Sequence, residues 1–410
     1  MPSINLLAIS NPSDYWRSGS LAVPWQPIYQ KFQIPPEELV LSDLRDRFGN
    51  PLLAQVDRIE PEEPSRDTLV FSLNEAIPPG AKADLFTSAF IRVERGKPVP
   101  TEIGEPELEV VWGAPRQERG VRLTNNRLIA WFNLVAAPEN DGHNWYSGSA
   151  TSVQLDRQEF LDPFLAVKGE WLGQNPEKRC MQIDCLQLPG TPHPKSPYYQ
   201  VYLFNHSYRL VSQSRGPVRA SITIASEPFE YIGSDPDTGE NRHLSCQLYR
   251  VISLYAGAPY LIEELFVKGK SSGEEGEHLV GKEIVNLSFS PHYFAHMDMG
   301  HPAKIYQPSH LSNWFAAGST SAPYPGYGFA TDLQIDSVTY PHEGNENCFS
   351  WRLLPSRSIK CLHLFMRCPQ PDFDERTGHH WYELFYQPLK AEIYQDTQVI
   401  PDRRGNFITT

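Results

Sequence analysis

Several things are scarce in this 410-residue sequence, and each scarcity removes a class of function. Basic residues are outnumbered: Lys and Arg total 36 against 49 Asp and Glu, a formal net charge of −13. A surface of that sign repels a phosphate backbone and an anionic lipid leaflet, so neither nucleic acid nor a membrane is an expected partner. No apolar run is long enough to cross a bilayer, and the opening Met1-Pro2-Ser3-Ile4-Asn5 has no positive segment ahead of an apolar core. The expectation is therefore a cytoplasmic protein without a signal peptide. The six cysteines, Cys180, Cys185, Cys246, Cys348, Cys361 and Cys368, form no CxxC pair. That leaves no structural zinc knuckle and suggests free thiols in a reducing compartment. Gly-rich phosphate loops, nucleophile elbows, dinucleotide fingerprints and HExxH patterns are missing too, which removes kinases, α/β-hydrolases and NAD enzymes; no cofactor is expected.

Long helical periodicity is also lacking. What is present is strand periodicity, with 37 prolines and 19 tyrosines in keeping with short strands joined by turns. In 220–226, Ile222 and Ile224 alternate with Ser221, Thr223 and Ala225, which predicts one apolar and one polar face. The runs 127–134, 247–255, 260–268, 360–367 and 381–386 read as strands as well. Gly216-Pro217, Gly257-Ala258-Pro259 and Pro325-Gly326 punctuate them, and Phe48-Gly49-Asn50-Pro51 predicts a hairpin within 44–57.

The length favours two domains. A polar, Pro-rich stretch in 96–119 marks the expected boundary, so the prediction is a small N-terminal β-sandwich over 1–117, a large antiparallel β-supersandwich over 118–398 and a tail over 399–410. The fold class is all-β.

The order of segments carries a resemblance. Asn11-Pro12, 43–55 (DLRDRFGNPLLAQ), 68–73 (TLVFSL) and Ile77-Pro78-Pro79-Gly80 are followed by 123–132 (LTNNRLIAWF), 214–224 (SRGPVRASITI), 247–265 (QLYRVISLYAGAPYLIEEL), 362–369 (LHLFMRCP), Pro371-Asp372 and 377–380 (TGHH). This series resembles the C-terminal β-domains of class II-type α-mannosidases. The Gly-Pro-Val-Arg-Ala step and the Leu-Tyr-Ala-Gly-Ala-Pro turn are also similar to rhamnogalacturonan-lyase-like β-sandwich domains. Both resemblances imply the galactose mutarotase-like supersandwich and a carbohydrate-related role. Those α-mannosidases hold their zinc ion and nucleophilic Asp in a separate α/β domain to which nothing in this sequence corresponds. No catalytic residue can be carried over, and the chain is not expected to be a self-sufficient zinc α-mannosidase.

Candidate chemistry therefore has to be read from the residues. The segment Asp141-Gly142-His143-Asn144-Trp145-Tyr146 combines aromatic faces with hydroxyl-binding groups, as a sugar contact would; alternatively Trp145 anchors the loop to the core. His206 is a general acid–base candidate or a structural histidine. Arg242 offers a fork for a uronic acid. Glu263 and Glu264 fall on opposite strand faces, so one of them points into packed or concave surface. There its pKa could rise and make it an acid or base; the alternative is an edge in water. His342, beside Glu343, is a further base candidate. His292, His296 and Asp298, with His301 close by, have the residue types of a metal site or of an ordinary surface loop. His379-His380-Trp381-Tyr382 reads as packing of the last strands.

The resulting expectation is a saccharide groove on the concave face of the larger domain. His206, Glu263 and His342 are its candidate catalytic groups, and His143, Trp145, Tyr146 and Arg242 its substrate contacts. Two functions fit: an enzyme acting on a sugar (hydrolase, lyase or epimerase), or a non-catalytic glycan-binding or accessory module whose partner is a separate catalytic chain.

Overall fold

The computed structural model describes residues 3–32, 44–46, 48, 50–59, 64–87, 107–114, 118–134, 148, 150–159, 181–193, 196–202, 207–234, 241–271, 285–291, 304–306, 314–318, 325–331, 335–339, 350–353, 358–367, 389–393 and 399–400. The N-terminal part contributes β1 (Ser3–Ser10), β2 (Ser20–Pro24), the short helix α1 (Trp25–Phe32), β3 (Leu44–Arg45), β4 (Ala54–Asp57), β5 (Thr68–Ser72) and β6 (Lys82–Thr87). Then follow β7 (Glu107–Ala114), β8 (Glu118–Thr124), β9 (Leu128–Asn133), β10 (Ala150–Leu155), β11 (Gln158–Glu159), β12 (Met181–His193), β13 (Ser196–Tyr202), β14 (Tyr208–Arg215), β15 (Arg219–Ser226), β16 (Phe229–Ser234), β17 (Asn241–Tyr255) and β18 (Tyr260–Ser271). The last third adds β19 (Val285–Pro291), β20 (Lys304–Tyr306), β21 (Trp314–Gly318), β22 (Pro325–Thr331), β23 (Ile335–Thr339), β24 (Ser350–Leu353), β25 (Ser358–Arg367), β26 (Lys390–Ile393) and β27 (Val399–Ile400).

The fold class is all-β, as the strand-period runs require. Among the described residues the strands form four antiparallel sheets. Two are small: β26-β1-β6-β3 with β27 beside β1, and β2-β5-β4. Two are large: the ten-stranded β23-β24-β19-β12-β10-β9-β8-β7 with β11 and β13 alongside, and the nine-stranded β14-β15-β17-β18-β25-β22-β21-β20 with β16 beside β17.

The small sheets sandwich a core of Leu6, Leu7, Ile9, Leu21, Val23, Leu69 and Phe71, closed by Trp25 and Ile28 of α1. Those two sit three residues apart, one helical turn, which is why so short a helix can cover the sheets with a single apolar stripe. Full burial of a side chain such as Phe71 stabilises by about 2–3 kcal/mol relative to exposure. The hairpin expected in 44–57 is present. The N–H of Leu52 donates to the carbonyl of Leu44 at 2.7 Å, and the Asp46 carboxylate collects the N–H groups of Phe48 and Asn50, each at 2.9 Å. Its arms diverge beyond the turn: β3 joins β6 and β4 joins β5.

The strands on either side of residue 117 are hydrogen-bonded neighbours, with Val110 opposite Val121 in the ten-stranded sheet. Near the other end of the chain β26 lies against β1, pairing Leu7 with Ile393, and packs Ala391 and Ile393 on the small core. Among the described residues no helix is long and apolar enough to cross a membrane.

The polar face predicted for 220–226 is covered rather than wet, and all of β15 is buried. The reason lies in its central place, between β14 and β17. One face of the strand meets the small sandwich, where Thr223 donates to the carbonyl of Ile59 at 2.8 Å and Ser221 reaches Asp57 at 3.4 Å. The face bearing Ile222 and Ile224 turns toward the ten-stranded sheet. On that side Tyr208 of β14 gives its N–H to the carbonyl of Leu134 at 2.7 Å. Gly148, at φ +74°, backs onto the same ring so closely that a Cβ would stand 2.5 Å from it. The nine-stranded sheet is thus the middle layer, with the small sandwich on one side and the ten-stranded sheet on the other.

Candidate functional site

A polar joint fastens the small sandwich to the middle sheet. Gln55 and Asp57 are alternate residues of β4 and so share a face. The Gln55 side-chain carbonyl accepts the N–H groups of Val218 at 2.9 Å and Arg219 at 3.0 Å, and its amide donates to the carbonyl of Arg219 at 2.9 Å and to Asp57 at 2.5 Å. A side-chain amide here does what a neighbouring strand would do for the backbone of β15. Asp57 forms a buried ion pair with Arg219, whose guanidinium also donates to the Tyr255 hydroxyl at 3.0 Å. Burial opposes the Arg219 charge, but Tyr255 and Asp57 more than offset it and raise its pKa above the usual arginine value.

Beside this joint the two layers part, leaving a cavity of about 400 Å3. Its floor is a stretch of β17 and β18, with Val251, Ser253, Ile262, Glu264 and Phe266 pointing the same way, buried or half-buried, and Lys360 of β25 stands directly across from Glu264. The opposite wall is Ala22 and Pro24 of β2 with Ser65, Arg66, Asp67 and Thr68. Arg66 lies over Phe266, its guanidinium carbon 3.6 Å from the ring centroid. Phe266 stacks on Tyr249 across the β17–β18 pair, centroids 5.1 Å apart and planes 8° apart, and Lys268 hangs over Tyr249 at 5.0 Å. These are cation–π contacts that hold the cations in place beside an apolar floor. The cleft offers donors, carboxylate acceptors and an apolar surface at close range.

Glu263 points to the other face of the sheet. It is 3 % exposed. Its carboxylate takes the Arg250 Nε–H at 2.5 Å and has the His363 Nε2 at 3.4 Å. His363 in turn lies against the Phe329 ring, centroids 5.5 Å apart. Burial works to raise the pKa of Glu263, but the Arg250 charge and the hydrogen bond and charge of His363 outweigh it and hold the carboxyl at about 2. Of the two strand faces Glu263 takes the packed one, but neither a raised pKa nor an edge in water describes it: it is enclosed and held ionised. The register places a guanidinium beside the carboxylate, which the strand's own sequence does not reveal.

Of the other predicted contacts, Arg242 lies in β17 opposite Gly233 of β16, and its side chain is outside the described residues. His143, Trp145, Tyr146, His206 and His342 are outside them, as are His292, His296, Asp298 and the segment 379–382. Among the described residues no three His, Cys, Asp or Glu side chains gather as a metal site. Sequence reasoning missed Arg66, Asp67, Arg219 and Lys360. The Gly216-Pro217-Val218-Arg219 step reads as a turn, and nothing local marks its arginine as buried.

No family model matches the sequence, and no curated protein matches it. Solved structures with a similar course of chain include a protein of glycosyl hydrolase family 38 from Enterococcus faecalis (TM-score 0.49, 9 % identity, covering 95 % of this chain and 47 % of that one). An α-mannosidase from Enterococcus faecalis V583 superimposes equally (TM-score 0.49, 9 % identity, 96 % and 46 %). The chain spans about half the length of these solved chains. A likeness of this level says nothing of chemistry.

Proposed function

We propose that this protein binds a saccharide in the cleft between the small sandwich and the middle sheet, and that it does so without turning the sugar over. The observation that carries the reading is the cleft itself: Arg66 over Phe266, Glu264 facing Lys360, and an apolar floor between them. Its volume suits one or two pyranose rings, since small-molecule sites begin at roughly 300 Å3. Hydroxyls would pair with the charged groups while a ring face rests on Ile262 and Val251. In this reading Glu263, ionised and enclosed by Arg250 and His363, supports the sheet and transfers no proton.

The test is calorimetric titration of the full chain with a panel of neutral and uronic oligosaccharides, alongside a turnover assay on the matching aryl glycosides. Glu264→Gln should weaken binding about tenfold or more, the order of one charge-assisted hydrogen bond, while leaving the melting temperature unchanged. Equal affinity of Glu264→Gln and the wild type, or hydrolysis of any glycoside, would overturn the proposal.

A further inference from the structure

The floor of the cleft has a pattern that narrows what can rest on it. The β17–β18 register sets Ser253 opposite Ile262 and Val251 opposite Glu264. All four share one face of the sheet and line the cavity. They form a small checkerboard, with two apolar side chains on one diagonal and a hydroxyl and a carboxylate on the other. The polar pair stands roughly 7–8 Å apart, a separation that one sugar ring with its hydroxyls bridges.

The other polar side chains at the cleft are engaged within the protein. Arg219 is held by Asp57 and Tyr255, and Thr68 donates its hydroxyl to the carbonyl of Arg66 at 3.3 Å. Arg66 packs over Phe266, and Ser65, Asp67 and Lys360 also have partners. Ser253 and Glu264 differ: among the described residues neither has a hydrogen-bond or ion-pair partner. Ser253 is only 4 % exposed, with the cavity as its outlet. A polar group enclosed without a partner is destabilising, and a ligand that pairs with it removes the penalty.

The charges of the cleft balance. Three cations line it, Arg66, Arg219 and Lys360, against the carboxylates of Asp67 and Glu264, with Asp57 behind Arg219 as the third. Lys268 stands over the Tyr249 and Phe266 rings, outside the lining. An acidic sugar would find no unmatched cation here and would set a second carboxylate against Glu264 at short range. A cationic amino sugar would suit Glu264 but would stand beside Lys360, directly across the ladder from it. Neutral hydroxyls donate to a carboxylate without adding charge. Two neighbouring hydroxyls fit the two oxygens of Glu264, while Ser253 takes a third.

We infer that the cleft selects neutral sugars over acidic and amino sugars, with Glu264 gripping a pair of adjacent hydroxyls and setting that selectivity, and Ser253 holding a third hydroxyl across the ring. This rests on the reading of the cleft as a saccharide site and adds the class of sugar it takes.

The experiment titrates the full-length wild type, Glu264→Gln and Ser253→Ala at neutral pH with mannobiose and cellobiose, with the uronic-acid counterpart of each, and with the glucosamine disaccharide; melting temperature is measured for every protein. The wild type should bind a neutral disaccharide at least about tenfold more tightly than its uronate. Glu264→Gln should bind the neutral sugar less tightly and the uronate more tightly, so that the gap closes. Ser253→Ala should keep its melting temperature, since its hydroxyl bonds nothing in the protein, and should lose about threefold to tenfold for the neutral sugar with the gap retained. A wild type that prefers the uronates or the glucosamine disaccharide, or a gap that survives Glu264→Gln, would overturn the selectivity and leave the saccharide cleft standing. Absence of binding to every sugar, or affinities that neither substitution changes, would sink both.

Discussion

Asp57 and Arg219 stand 162 residues apart in the chain and meet as a buried ion pair that fastens the small sandwich to the middle sheet. Buried pairs of this kind add little over a well-packed apolar pair, but removing one partner leaves a charge stranded away from water. Asp57→Ala should therefore cost about 3–5 kcal/mol of unfolding free energy in a urea titration. Asp57→Leu combined with Arg219→Met should recover most of that loss. A double variant no more stable than Asp57→Ala would show that the joint acts through its geometry and not through the uncompensated charge.

The Glu263 carboxyl fixes the sign of one pH dependence. Its pKa in the folded protein is about 2, below its ordinary value of 4.5. Below 4.5 the unfolded chain binds a proton that the folded chain does not, so stability is lost as pH falls from about 4.5 toward 2 and is fully present above that window. Melting temperatures measured across this range should fall for the wild type. Glu263→Gln should be less stable at neutral pH, because Arg250 loses its counter-charge, and its curve should be flatter at the acid end. Parallel curves would mean that other carboxylates carry the acid limb.

Asn125 is the corresponding brace between the two large sheets. From the turn between β8 and β9 its amide donates to the carbonyls of Tyr255 at 2.6 Å and Ala258 at 3.0 Å, in the turn between β17 and β18. Its own carbonyl accepts from the N–H groups of Arg127 at 2.8 Å and Leu128 at 2.6 Å. Asn125→Ala leaves buried backbone groups without partners and should cost about 2–3 kcal/mol. Hydrogen exchange should speed up in residues 255–258 more than in β15. Asn125→Asp keeps the acceptor and sets a carboxylate against two carbonyls, so it should be no better. Unchanged exchange in that turn would show the contact to be dispensable.

The strands of the middle sheet were legible because strand formation is read from neighbours two residues apart. The alternation in 220–226 and the apolar runs in 247–255, 260–268 and 360–367 correspond to β15, β17, β18 and β25. Gly257, at φ +66°, sits in the turn that its Gly-Ala-Pro context announces. The candidate site was much less legible. Opposite faces for Glu263 and Glu264 follow from parity alone, but which face is enclosed does not. The alternation puts Ser221 and Thr223 on one face, but nothing near them in sequence announces that Asp57 and Ile59 cover it.

By itself the sequence determined the class of structure, all-β with turns at its Gly and Pro steps, since backbone preferences and side-chain alternation act over a few residues. Only the tertiary structure decided which charges are paired and where a ligand could enter. Pairing depends on register: Glu263 is held ionised because Arg250 lies thirteen residues before it and His363 a hundred after it, both brought to its side by the antiparallel ladder. The cleft depends on packing, because its two walls, 65–68 and the floor of β17 and β18, are far apart along the chain. Coulomb energies fall with distance in space, and no local pattern along the chain encodes that distance.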